Sequence, residues 1–241
     1  MTFDSDNWGL PVVGAEAVSW RGLVEQIPYF EVEGHRVYDV RHLFPDKEEW
    51  LASVPKRGFA VHHDAAPLRD EDRNFSGTTL DESLDRLRII YDDHVAKGWN
   101  GIGYHRVGDP AGRVFITGSS ATHRAHAAGW DYTTGTSFNH SWIGYCFMGD
   151  HSGSRPPEPA MRAFRAFLQW ETNMRGVEML MRPHKFLTPD TQCPGGWAAE
   201  NAWADVVLKP AAKPAPTPAP APVDLRVVQI RDLANAIIER R

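Results

Sequence analysis

Apolar positions along the chain follow two different periods. Over residues 79–97 they recur at helical spacing: Leu80, Leu84, Leu87, Ile90, Tyr91 and Val95 make one stripe, with charged residues between them. Thr79 and Glu82 have capping-box spacing, and Gly98-Trp99-Asn100-Gly101 ends the helix. Met161, Phe164, Phe167, Leu168 and Trp170 predict a second helix over residues 159–175. Elsewhere the apolar residues come as short runs between turn residues. Residues 57–63 (RGFAVHH) read as a buried strand that ends in histidines. Residues 141–148 (SWIGYCFM), nearly all apolar, read as a central strand. Residues 102–107 read as a strand that turns through Asp109-Pro110-Ala111-Gly112, with residues 113–117 as its hairpin partner. Residues 179–181 predict a final short strand, and residues 29–32 and 35–40 are expected to pair across Glu33-Gly34. Helices interleaved with strands predict an α/β sheet covered on both faces.

Composition divides the chain further. Residues 1–55 are expected to be an N-terminal extension packed on a main domain at 56–208. Residues 209–222 (KPAAKPAPTPAPAP) form a Pro-Ala linker, extended because proline supplies no N–H to a helix or a sheet. Residues 223–241 predict a C-terminal helix with Val227, Ile230, Ala234, Ile237 and Ile238 on one face. A helix of that length is marginal alone, so it is expected to dock, on the domain or on a partner, or to self-associate.

Hydrophobic residues are 42% and charged residues 24% of the 241, the balance of a globular protein. The formal charge of -5, with no run of Lys or Arg, excludes a nucleic-acid-binding face. No apolar run reaches the ~20 residues that span a bilayer, so no membrane partner is expected. Two cysteines make no disulfide framework. The first residues lack a basic segment followed by an apolar one, so a cytoplasmic protein without a secretory signal is expected.

Eleven histidines matter by their placement. His62 and His63 close the first buried strand, His184 follows the last, and Cys193 comes nine positions later, before Pro194-Gly195. Two imidazoles and a thiolate are ligands zinc accepts, with a fourth position left for water. Taken singly, each of these residues is equally an ordinary core or turn residue.

Their order carries more. Phe59-Ala60-Val61-His62-His63, Ile102-Gly103-Tyr104-His105, Gly112-Arg113-Val114-Phe115, His126-Ala127-Ala128-Gly129, Asn139-His140-Ser141-Trp142-Ile143-Gly144, and Arg182-Pro183-His184 with Cys193-Pro194-Gly195 follow one another. This series resembles the type-2 N-acetylmuramoyl-L-alanine amidases, the family of many phage endolysins and of the catalytic peptidoglycan recognition proteins. The resemblance covers about residues 57–203. It implies a mixed central sheet flanked by helices, with a zinc cleft at one sheet edge. It implies zinc ligation by His62, His184 and Cys193, and cleavage of the bond between N-acetylmuramic acid and L-alanine in bacterial peptidoglycan. Tyr104 matches the tyrosine beside the attacking water. Thr191, two positions before the cysteine, stands where phage enzymes often carry lysine, and its hydroxyl is left to polarise the scissile carbonyl. The His-to-Cys spacing of nine exceeds the family's common eight by one. His126 matches a histidine of the substrate groove, and Trp130 with Tyr132 is expected to form a groove wall. His63 faces away from His62 because strand neighbours alternate, and is assigned to packing or hydrogen bonding, or else to substrate contact.

The composition and the Pro-Ala linker suit an actinobacterial phage endolysin, held in the host cytoplasm until a separate membrane-permeabilising protein releases it. The C-terminal helix is then a candidate wall-docking segment. Three rivals remain open: a non-catalytic peptidoglycan binder on the same fold, a cysteine peptidase using Cys193, and a structural zinc site. Retention of His62, Tyr104, His184 and Cys193 together disfavours the first. A reactive cysteine wants a helix N-terminus to lower its pKa, which Cys193 before Pro194-Gly195 suits poorly. A structural site wants four protein ligands.

Overall fold

A computed structural model of the protein describes residues 26–65, 79–200 and 206–211. The predicted linker beyond residue 211 and the C-terminal helix lie outside the described residues. In chain order the elements are β1 (Tyr29–Val32), β2 (His35–Asp39), β3 (Gly58–His63), α1 (Leu80–Ala96), β4 (Arg106–Gly108), β5 (Val114–Ile116), β6 (Trp130–Asp131), β7 (Thr136–Ser137), α2 (Phe138–Ser141), β8 (Trp142–Phe147), α3 (Glu158–Arg175), β9 (Met179–Pro183), α4 (Gly196–Glu200) and β10 (Val206–Leu208). A 3-10 turn at His184–Phe186 follows β9. No helix among the described residues is long and apolar enough to cross a membrane.

Eight strands form one mixed sheet in the order β1-β2-β5-β4-β8-β3-β9-β10. The interior pairs β4–β8, β8–β3 and β3–β9 are parallel, whereas β1–β2, β4–β5 and β9–β10 are antiparallel. The β1–β2 hairpin joins β5 in parallel, so residues 29–39 are strands of the main sheet. The last strand is β10, which covers the outer edge of β9.

Alternation along the strands sorts the side chains between two helices. Phe59 and Val61 of β3 and Ile143, Tyr145 and Phe147 of β8 pack with Met161, Phe164 and Phe167 of α3. Cys146 on the opposite face joins Leu84, Leu87 and Ile90 of α1. Each fully buried Leu or Phe contributes roughly 1.5–3 kcal/mol. The α1 stripe holds its register because Thr79 caps it: its Oγ1 accepts from Glu82 N (3.2 Å) and Glu82 Oε2 accepts from Thr79 N (3.0 Å).

The expected strand over residues 102–107 is shorter, since ladder pairing begins only at Arg106. The preceding backbone is satisfied in other ways. Gly103 N donates to His94 Nδ1 (3.0 Å), and His105 N donates to Gly144 O (3.0 Å). His105 Nδ1 in return accepts from Gly144 N (3.0 Å). Side chains thus share the pairing with main-chain groups here, and Tyr104 packs against His62 near the end of β3.

Candidate active site

His62 is the penultimate residue of β3, an interior strand, so the cleft opens at the edge made by strand ends. Its side chain shares a face with Ala60, on the α1 side of the sheet. β9 runs parallel to β3 and delivers His184 to the same end. A short loop then returns Cys193. Lys185 N donates to Cys193 O (3.0 Å), Thr188 N to His184 O (2.9 Å) and Thr191 N to Thr188 O (3.3 Å). These turns absorb the nine-position spacing. His62, His184 and Cys193 each offer a ligand atom, and the three atoms lie within 4.8 Å of one another. Cys193 Sγ is 3.9 Å from His62 Nδ1, and the His62 and His184 ring centroids are 4.4 Å apart.

Burial sets the charge of these groups. It lowers His62 well below its ordinary value, helped by the neighbouring His184 and His126. Burial, with His63 nearby, lowers His184 to about 4. Burial pushes the Cys193 thiol up to about 12, against a backbone hydrogen bond from His63 N. Two neutral imidazoles and a thiol therefore face one another, and His184 Nε2 is buried with no hydrogen-bond partner. This donor set fits zinc, whose charge favours the thiolate.

The cluster opens into a cavity of about 390 Å³. Tyr104 lines it, with its ring centroid 5.2 Å from that of His62. Burial raises the Tyr104 phenol well above its ordinary value, and the nearby Cys146 and Cys193 add to this, so it remains protonated. Thr191 also lines the cavity, and its Oγ1 accepts from Cys193 N (3.1 Å). The hydroxyl proton stays available to a further acceptor.

His63 lines the cavity too, although it is only 6% exposed. Its Nδ1 accepts from His151 N (2.9 Å) and lies 3.6 Å from Asp150 Oδ1. His126 lines the same cavity, beside His62. Its Nδ1 lies 3.2 Å from His62 Nε2, and its Nε2 lies 3.2 Å from Trp142 O, so both ring nitrogens are engaged within the protein. Burial lowers His126 well below its ordinary value, with Lys56 adding to the effect, so it is neutral. Trp130, 52% exposed, belongs to the β6–β7 hairpin and is not among the residues lining this cavity; Tyr132 projects at the turn.

Sequence reasoning missed two supports. His94 presents Nδ1 to Gly103 N and packs edge-on against Tyr104 (5.3 Å), so it holds the segment that carries the tyrosine. Its signal was a polar residue four positions after Ile90 on an apolar stripe. Asp64, just beyond the two histidines, forms a buried bidentate pair with Arg86 of α1 and ties the end of β3 to that helix.

Residues 53–196 match the family model described as N-acetylmuramoyl-L-alanine amidase. The match spans more than half of the chain, and the chain belongs to that family. Among curated proteins none matches the chain significantly. Solved structures share the fold. The amidase LysC from Clostridium intestinale URNW is 17% identical with a TM-score of 0.51, over 66% of this chain and 89% of that one. Bumblebee PGRP-SA is 17% identical with a TM-score of 0.57, over 73% and 99%. Drosophila PGRP-LB is 22% identical with a TM-score of 0.54, over 69% and 92%.

Proposed function

We propose that the protein hydrolyses the amide bond between N-acetylmuramic acid and L-alanine in bacterial peptidoglycan, with zinc held by His62, His184 and Cys193. The observation that carries this reading is the convergence of two imidazoles and a thiol, within 4.8 Å, in an open cavity that also presents Tyr104. Zinc in such a site supplies a Lewis acid for the scissile carbonyl and hydroxide at neutral pH. The Tyr104 phenol donates a hydrogen bond to the carbonyl oxygen as negative charge develops there. Thr191, oriented by Cys193 N–H, donates to the same oxygen from the opposite loop. Addition of water breaks the C–N bond, leaving a carboxylate on the lactyl group and a free amine on alanine.

A cysteine peptidase is disfavoured, because burial raises the Cys193 thiol where a nucleophile needs it lowered. A purely binding role is the stronger rival. One relative in fold is an ectodomain complex of peptidoglycan recognition proteins bound to tracheal cytotoxin. Digestion of purified peptidoglycan separates the two. New alanine amino termini, without new reducing sugars and abolished by chelation, are expected; no release from zinc-loaded protein would leave binding as the role.

For biological context, we place the protein as a phage endolysin stored in the host cytoplasm. A relative in fold, LysCS from Clostridium intestinale URNW, is described as an endolysin amidase. Cytoplasmic expression is expected to lyse a susceptible host only when a membrane permeabiliser is co-expressed. Lysis without it would refute the storage model.

A further inference from the structure

His126 is a buried histidine that the proposed chemistry does not use. It sits in a line of ring nitrogens that ends on a main-chain carbonyl. Trp142 O can only accept, so the 3.2 Å contact makes His126 Nε2 a donor. In a neutral imidazole the other nitrogen, Nδ1, is then the acceptor. Among the described residues the group facing it at hydrogen-bond distance is His62 Nε2, at 3.2 Å, which must therefore carry the proton. With Nε2 protonated, the lone pair of His62 lies on Nδ1, the nitrogen 3.9 Å from Cys193 Sγ.

The surroundings hold His126 in this role. Asn139 Oδ1 accepts from both His126 N (2.8 Å) and Ala127 N (2.7 Å), which fixes the backbone. A Cβ at Gly144 would stand 2.7 Å from His126 Cγ, so the absence of a side chain there leaves room for the ring. Lys56 Nζ donates to the same Trp142 carbonyl (3.2 Å) and anchors the far end of the line. The His105 ring, its own Nδ1 occupied by Gly144 N, packs edge-on beside His126 at 5.4 Å.

We propose that His126 is a positioning residue: it selects the tautomer of His62 that is protonated on Nε2 and so points the Nδ1 lone pair at Cys193 and His184. That this lone pair serves a metal rests on the zinc reading above; the tautomer itself does not. Partners of this kind behind a metal-ligating histidine typically raise metal affinity ~10–100-fold.

The test begins with the metal-free, full-length wild type. Its imidazole nitrogen spectra are expected to show His62 protonated on Nε2 alone and His126 protonated on Nε2 alone. His126→Leu is expected to leave His62 a mixture of tautomers and to weaken zinc binding, measured by competition with a chromophoric chelator, by ~10–100-fold. His126→Gln keeps one acceptor and one donor, and is expected to recover the single tautomer and most of the affinity. His62 protonated on Nδ1 in the wild type would overturn the proposal, without dependence on any variant folding. So would a folded His126→Leu with unchanged tautomer and affinity. A wild type that shows the expected tautomer yet takes up no zinc supports the positioning role and removes the zinc reading instead.

Discussion

Tyr104 illustrates how a side chain acquires a task from its neighbours. An ordinary phenol in water is a modest donor; this one is walled in by His62 and His94, and burial holds its proton. A donor placed where charge develops is worth ~10²–10³ in rate when removed. Tyr104→Phe is therefore expected to lower kcat by about that factor. Zinc content should stay unchanged and the thermal midpoint should shift little, because the lost hydroxyl is not a ligand and the ring that packs on the α1 core remains. Steady-state release of alanine termini, with metal analysis of the same preparation, checks this; an unchanged kcat would remove Tyr104 from the chemistry. At this scale the candidate metal-binding cluster was readable in the chain, because His62, His184 and Cys193 belong to an ordered series of motifs that resembles the amidase family. His126 was readable as a site residue, but the groups that fix its ring were not. Which way an imidazole points depends on Gly144 and Trp142, sixteen or more positions away in sequence.

Elements transmit that precision. β4 and α3 are joined by Arg106 and Glu171, each 1% exposed, through contacts of 2.9 and 3.3 Å, and Arg175 adds a second guanidinium at 2.8 Å. Burial alone would raise Glu171, but the two guanidiniums outweigh it and hold the carboxyl below its ordinary value. Arg106 also donates to His105 O (2.9 Å) and Gly118 O (2.7 Å), beside the segment that carries Tyr104. Breaking a buried pair leaves an uncompensated charge, at ~3–5 kcal/mol. Glu171→Gln is expected to destabilise the fold by about that amount in urea unfolding; a change within ~0.5 kcal/mol, the scatter of ordinary surface substitutions, would show the network to be dispensable. The helices of this scaffold were legible because a repeated stripe and a capping box agree over many residues. Residues 102–105 were misread as strand for a definable reason. Their apolar alternation is real, but His94 and His105 side chains take the hydrogen bonds a strand partner would have made. Strand pattern reports burial on two faces, and it does not report which group satisfies the backbone.

For the whole molecule, the cost of holding neutral histidines beneath a sheet edge appears as pH dependence. In the fold His184 and His94 are each lowered to about 4, His184 by burial and then His63, His94 by burial and then Lys97. In the unfolded chain both return to roughly 6.5. Between those values the unfolded state binds more protons than the native state, so stability rises with pH across the window and is lost as pH falls through it. Each histidine contributes a slope of about 1.4 kcal/mol per pH unit there. Metal-free protein is thus expected to lose several kcal/mol on acidification from pH 6.5 to about 4, ahead of the carboxylate losses at lower pH. A cation on His62, His184 and Cys193 binds the native state and opposes protonation of the same nitrogens, so zinc should raise stability near neutrality and move the fall to lower pH. Urea midpoints taken at intervals from pH 7 to pH 4, with and without zinc, read both effects. A metal-free profile that is flat across this window would mean that the two histidines are not held neutral by burial. A normal metal-free slope that zinc does not displace would instead count against a cation at this cluster, and would return the cleft to a binding role.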